Sequence, residues 1–210
     1  FYQLLDNYER ATGTEESANA EEKQENWDFL NAVMETPCMK YCFRYLKAKG
    51  RLDDDVNDEE SFKRFLYRLW FYFYRREESN DSSGFEHVFV GEVKDGKVIG
   101  LHNWIQLLIE ERRQKLDYKG YVLPRRASDE HPTDRSHILT IQFAWEGEMK
   151  PVSTCFIGVS PEFEMAIYTL CFMDGSEDNE VKLGHTECEI KCHKFGYSNP
   201  KLGSAFPNMN

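Results

Sequence analysis

The sequence predicts an α+β fold: a helical first third, then antiparallel sheets with helices packed on them. Three observations carry this. Before Arg76, apolar residues recur at helical spacing, as in Trp27, Leu30, Val33 and Met34. After Arg76, alternating and β-branched stretches take over: "FEHVFVGEV", "KVIG", "ILTIQFAW" and "PVSTCFIGV". Two helical patterns, "NWIQLLIEERRQKL" and "SPEFEMAIYTLCF", interrupt those stretches.

The elements follow in chain order. Leu4, Leu5 and Tyr8 predict a short helix ending near Gly13, and the acidic run Thr14 to Glu25 reads as a loop or helix start. A helix follows on the Trp27 stripe. Thr36-Pro37 restarts a helix, with Thr36 as N-cap and Pro37 at the first position, and Gly50 stops it. Asn57 with Glu60 resembles a capping box for a third helix. Its wide apolar face (Phe62, Phe65, Leu66, Leu69, Trp70, Phe73) reads as core. Lys63, Arg64, Arg68, Arg75 and Arg76 lie off that face or at its end, where a solvated surface is the simpler account and an RNA groove the sharper one. Ser160 and Pro161 open the last helix, with acidic residues in its first turn. The tail from Glu180 reads as strands, with turns at Gly196 and at Ser198-Asn199-Pro200.

Composition narrows the function. The chain has 210 residues, enough for one large domain or two small ones, and no apolar run approaches the roughly 20 residues of a membrane span. The formal net charge of −11 disfavours binding nucleic acid by bulk electrostatics. Any RNA must be met at a local site, and cations are the easier partner, although a solvated acidic surface is the commonest account of such a charge. None of the six cysteines forms a C-x-x-C pair. Cys38 and Cys42 share a helix face, and Cys188 and Cys192 lie too far apart on a strand to bridge each other. The sequon Asn80-Asp81-Ser82 tilts the chain towards secretion.

The richest stretch is "SGFEHVFVGEVKDGKVIGLHNW". Asp95-Gly96 between two apolar runs signals a hairpin. With Lys94 opposite Lys97, His102 faces Phe89, which places His87 and His102 on one face roughly 7–8 Å apart. That gap suits a phosphate between two imidazoles, and a bulge at Gly91 would change it. Spacing alone fits two hydrogen-bonded sheet histidines as well as a site. The same parity turns Glu86 and Glu92 to the face opposite His87, where they orient local structure or hold a hard cation. Lys150 begins a strand after the turn Glu146-Gly147-Glu148 and can stabilise a phosphorane-like transition state.

These motifs resemble the poly(U)-specific, EndoU-type endoribonucleases. "LLDNYERATG" and "FLNAVMETPCMKY" match the helical half of that family; "SGFEHVFVGE" and "GLHNWIQ" match its histidine motifs. The likeness continues through "MKPVSTCFIGVSPEFEMAIYTLCF" to "LGSAFP". It implies one EndoU-like domain over residues 1–210, with a helical half 1–78 and a catalytic β-rich half 79–210. It also implies that a leading helical segment of the domain is missing ahead of Phe1. The implied activity is metal-stimulated cleavage of single-stranded RNA at uridines, leaving 2′,3′-cyclic phosphate, by a monomer that binds no membrane.

His87, His102 and Lys150 take the catalytic positions in this resemblance. It casts His102 as base, His87 as acid and Lys150 as phosphorane stabiliser, though sequence alone leaves base and acid interchangeable. Histidine suits both because its ordinary pKa of ~6.5 lies near working pH. Glu86 and Glu92 fall on glutamates tied to dependence on calcium or manganese. Uridine selection falls on Ser204, Phe206 and Thr154. Phe206 stands where the family pattern has tyrosine, so stacking survives and the phenol hydrogen bond is lost. Cys192-His193 also departs from the family's Thr-Tyr pair. An RNA-binding module with weak or lost catalysis and a calcium-regulated scaffold are the alternatives.

Overall fold

Asn19 opens the first long helix. In the computed structural model, which describes residues 1–122, 137–184, 186–196 and 200–208, it follows a 3-10 turn at Tyr2–Asp6. The Asn19 side chain accepts from the N–H groups of Glu21 and Glu22, and Glu22 accepts from the Asn19 N–H in return. Helix α1 (Ala20–Met34) buries Leu30, Val33 and Met34, while Trp27 stacks on Tyr67 at 4.3 Å. Helix α2 (Pro37–Ala48) begins at Pro37 and ends before Gly50, whose φ of +62° a side chain would resist. The Thr36 hydroxyl donates to Val33 O, so it ties α2 back to α1 and caps nothing.

Helix α3 (Glu59–Phe71) corrects the expected cap. Asp58 and Ser61 form the box, in place of Asn57 and Glu60. The short Ser61 hydroxyl reaches the N–H groups of both Asn57 and Asp58 at 3.0 Å. Glu60 is left at the surface, pairing with Lys63 and Arg64.

Two sheets follow. One has the order β1 (Glu92–Lys94), β2 (Lys97–Ile99), β5 (Glu148–Phe156), β4 (Ile138–Trp145), β3 (Leu116–Tyr121). Its pairings are antiparallel except β2 with β5, which meet in parallel at Lys97 and Met149. The other is the antiparallel run β6 (Asp178–Leu183), β7 (Thr186–Phe195), β8 (Lys201–Asn208). Strand β3 carries no strong alternation and had no counterpart in the sequence reading. Ser198 and Asn199, expected in a turn, lie outside the described residues.

Helices α4 (Trp104–Arg112) and α5 (Pro161–Asp174) complete the fold. One hydrophobic core joins α1, α2, α3 and α5 to the three-stranded sheet; a second lies between α4 and the five-stranded sheet. A cleft where the two cores meet draws residues from both sides.

The hairpin is right near its turn and wrong beyond it. Asp95 and Gly96 both have positive φ, Lys94 pairs with Lys97, and Glu92 pairs with Ile99, the expected register. Upstream the strand gives way to a π-helical turn, Glu86–Val90, closed by a bond from Gly91 N to Glu86 O of 2.8 Å. The reason is burial. Phe85, Val88 and Phe89 all enter the first core at i, i+3, i+4 spacing, which a strand cannot present to one side. Phe85 and Phe89 stack at 5.0 Å.

This turn is clamped against the loop after β2. Leu101 N donates to His87 O at 3.0 Å and His102 N to Val88 O at 2.9 Å. Gly100, at φ +62°, makes the approach possible: a Cβ there would sit 2.0 Å from His87 O. Gly100→Ala is therefore expected to destabilise the protein by about 2–4 kcal/mol, through left-handed strain and the lost clamp. Urea unfolding checks this; an unchanged midpoint would contradict the clamp.

Candidate active site

His87 stands on the π-helical turn, 6% exposed, with its backbone held in the clamp. Its Nδ1 lies 2.5 Å from Glu92 Oε2. The expected parity, with Glu92 facing away from His87, is thereby overturned. The turn replaces the strand, and the positive φ of Gly91 redirects the chain so that Glu92 comes back under the imidazole. Arg76 Nε lies 3.4 Å from the same Glu92 oxygen.

His102 follows two residues of positive φ, Gly100 and Leu101, and is 5% exposed. Its Nδ1 is 3.1 Å from Thr154 O and 3.3 Å from Ser153 Oγ. The Ser153 hydroxyl donates to Leu101 O at 3.0 Å, so its oxygen is left to accept. Both neighbours of Nδ1 are acceptors. The proton of a neutral ring therefore sits on Nδ1, and Nε2 carries the lone pair. The two rings lie 6.5 Å apart between centroids, close to the spacing expected but reached by a clamp of two segments instead of a ladder.

Burial keeps both imidazoles neutral. It pulls His87 down to about 4, against the opposing pull of the Glu92 hydrogen bond. It pulls His102 well below the ordinary histidine value, helped by the charge of Lys150. Lys150, on β5, is itself lowered to about 8 by burial. Among the described residues it pairs with no carboxyl group, so its charge is open to a ligand.

These three side chains line one cleft of about 620 Å³ between β5 and β8. Thr154, Ser204 and Phe206 line it too. Phe206 lies flat on His102, at 4.4 Å and 12°. Among the described residues, Ser204 Oγ is buried with no hydrogen-bond partner. The Thr154 hydroxyl is engaged with Thr140 Oγ1 at 3.0 Å, and its carbonyl serves His102.

Glu86 is not in the cleft. It is buried beneath the π-helical turn, where burial and then Glu92 and Glu16 push its carboxyl up to about 10. Among the described residues, Glu86 Oε2 and Glu92 Oε1 are buried without hydrogen-bond partners. Among the described residues no three His, Cys, Asp or Glu side chains assemble a metal cage. The donor set is two hard carboxyl groups with spare oxygens, which suits calcium or manganese as a partial site.

Several cleft residues escaped the sequence. Arg76 was one of five cations for which a solvated surface was the simpler reading and an RNA groove the sharper, and its side chain is 9% exposed. It donates to Gly203 O at 2.8 Å, to Tyr74 Oη at 2.7 Å and to Ser82 Oγ at 3.0 Å. Its guanidinium lies 4.9 Å over Phe195. Arg76 thus joins Glu92, under His87, to the strand that carries Ser204 and Phe206. Ser153 was read only as part of a strand. No local pattern marks either residue, because each acts through contacts distant in sequence.

The arrangement brings two imidazoles and a cation around one space, the parts that acid–base chemistry on an anionic ligand needs. The family model described as Endoribonuclease XendoU matches residues 1–207. The chain is 46% identical to uridylate-specific endoribonuclease C of Danio rerio, covering all of this chain and 67% of the relative. It is 43% identical to poly(U)-specific endoribonuclease-B of Xenopus laevis, covering all of this chain and 71% of that protein. It also superposes on the solved structure of XendoU, a splicing-independent snoRNA-processing endoribonuclease, with a TM-score of 0.85 and 40% identity, covering all of this chain and 76% of the other. Site geometry and whole-chain likeness agree: this chain belongs to the XendoU endoribonuclease family.

Proposed function

We propose that this chain cleaves single-stranded RNA after uridine by attack of the 2′-hydroxyl on the adjacent phosphodiester, leaving a 2′,3′-cyclic phosphate and a 5′-hydroxyl. The observation that carries the mechanism is the contrast between the partners of the two Nδ1 atoms. His102 faces a carbonyl and a hydroxyl, which fix its tautomer and leave Nε2 basic. His87 faces Glu92, an acidic side chain that favours the imidazolium form. His102 is therefore the base and His87 the acid.

The 2′-hydroxyl gives its proton to His102 Nε2 while O2′ bonds to phosphorus. The P–O5′ bond then breaks as His87 Nε2 gives its proton to O5′. Both rings are neutral in the free protein, so His87 must gain its proton when RNA binds. The phosphodiester charge favours that protonation. Lys150 stabilises the extra charge of the pentavalent phosphorane in a water-poor site. Uridine preference is supported by the named specificities of the relatives, by the unpartnered Ser204 hydroxyl and by Phe206 as a stacking surface. Thr154 contributes chiefly by holding His102.

Calcium or manganese, where bound, would be held by the spare oxygens of Glu86 and Glu92. It would supply the positive charge that lets the buried Glu86 ionise beneath the π-helical turn. The chemical steps run through His87, His102 and Lys150 alone. Added Ca²⁺ or Mn²⁺ is expected to raise the cleavage rate severalfold, and Glu86→Gln to abolish that response. Rates equal with and without cation in both proteins would sink the proposal.

Leaving-group chemistry separates acid from base. On a uridine-containing oligonucleotide, His87→Ala and His102→Ala should each lose about 10²–10⁴ in rate. On uridine 3′-(4-nitrophenyl phosphate), whose leaving group needs no proton, His87→Ala should recover most of its activity and His102→Ala should not. The reverse pattern would exchange the labels, and RNA binding without any cleavage by the unaltered chain would exclude the enzyme.

The pH profile tests Lys150. Its cation is the useful form, so its loss should steepen the fall of kcat/KM above pH about 8, and Lys150→Arg should move that steepening upward. Stability has the opposite slope. The lysine is lowered from 10.5 to about 8, so the unfolded chain binds more protons between those values. The Lys150 contribution to stability is lowest below pH 8 and rises as pH climbs towards 10.5. Thermal melts of the unaltered chain against Lys150→Met should show that rise only in the former.

A further inference from the structure

Phe206 can stack on a base but has no polar atom to read one. Ser204 offers a single hydroxyl. Directly across β7 and β8 from Ser204 stands His193, which lines the same cleft and whose ring lies 5.9 Å from that of Phe206. Neither the acid–base chemistry nor the core uses it. Its Nδ1 lies 2.7 Å from Glu177 Oε1, and its side chain is 47% exposed. Glu177 is fixed beside it, because Cys192 N donates to Glu177 O at 2.8 Å.

We propose that His193 is a specificity-determining residue that reads the N3 edge of uracil; this rests on the uridine reading above. Glu177 accepts from Nδ1–H, so the neutral ring keeps its lone pair on Nε2. Uracil presents an N3–H donor to such an acceptor. Cytosine presents an unprotonated N3, and two facing acceptors repel. The neighbouring Ser204 hydroxyl, buried and unpartnered, donates to a pyrimidine carbonyl oxygen. Phe206 supplies the stacking surface that both bases share. Discrimination thus comes as much from rejecting cytosine as from attracting uracil.

The test is binding, which needs no turnover. Calorimetry would compare uridine 3′-monophosphate with cytidine 3′-monophosphate on the unaltered chain, His193→Phe and Glu177→Ala. The unaltered chain is expected to favour the uridine nucleotide about tenfold or more, as a site built to hydrogen-bond its ligand does. His193→Phe should lose most of that preference from both sides, with uridine binding weakened and cytidine binding strengthened. Glu177→Ala frees the tautomer, places an N–H on Nε2 in part of the population, and should strengthen cytidine binding. A preference that survives in His193→Phe, or affinities for both nucleotides that fall together, would overturn the assignment. Cleavage of uridine RNA by the unaltered chain is scored separately, so failed catalysis with an intact binding preference would count against the mechanism and not against His193.

Discussion

Two backbone hydrogen bonds hold the site together. They run from Leu101 N to His87 O and from His102 N to Val88 O. They join a π-helical turn whose apolar residues sink into one core to a loop whose Leu101 sinks into the other. A carbonyl and an amide meet here at hydrogen-bond distance only because Gly100 has no Cβ. Each imidazole is then oriented by a different kind of neighbour: an acidic side chain under His87, a main-chain carbonyl beside His102. The clamp sets where the rings stand; the neighbours set which proton each ring can give or take.

A second layer extends the clamp to the three-stranded sheet. Arg76 is buried in an acidic protein, and its donors are divided among Tyr74, Ser82 and Gly203, with Glu92 close by. A lysine could not serve four directions at once, because its donors radiate from one nitrogen and lack the planar fork. Through Arg76 the orientation of His87 and the placement of the Ser204 strand become one arrangement. Burial, and then Glu92 and Glu16, still push the nearby Glu86 carboxyl up to about 10, against the opposing charge of Arg76.

The α+β class, the Pro37 and Pro161 helix starts and the Asp95-Gly96 hairpin were legible because each is dictated by residues close in sequence. The errors have equally physical causes. "FEHVFV" satisfies strand alternation and, at Phe85, Val88 and Phe89, helical spacing too; tertiary burial chose the second. Taking it as strand then misplaced Glu92, since parity fails once Gly91 turns the chain. At α3 two overlapping caps were available, and the shorter side chain of Ser61 won. The residues of the catalytic cleft came from family resemblance more than from periodicity. Arg76 was legible only as one of five cations that a groove could use, and Ser153 not at all, because a guanidinium or hydroxyl that acts through contacts distant in sequence leaves little local trace.

The cleft lies where two separately packed cores meet. His87 rides on the core built by the helices and the three-stranded sheet, whereas Leu101, just before His102, and Cys155, just after Thr154, belong to the other. Phosphoryl transfer tolerates little error in the placement of base, acid and cation. A slight slide of one core over the other would therefore silence the enzyme while each core stayed folded and helical content stayed constant. Catalysis in this protein is a gauge of alignment, sensitive to a loosening that measures of secondary structure would miss.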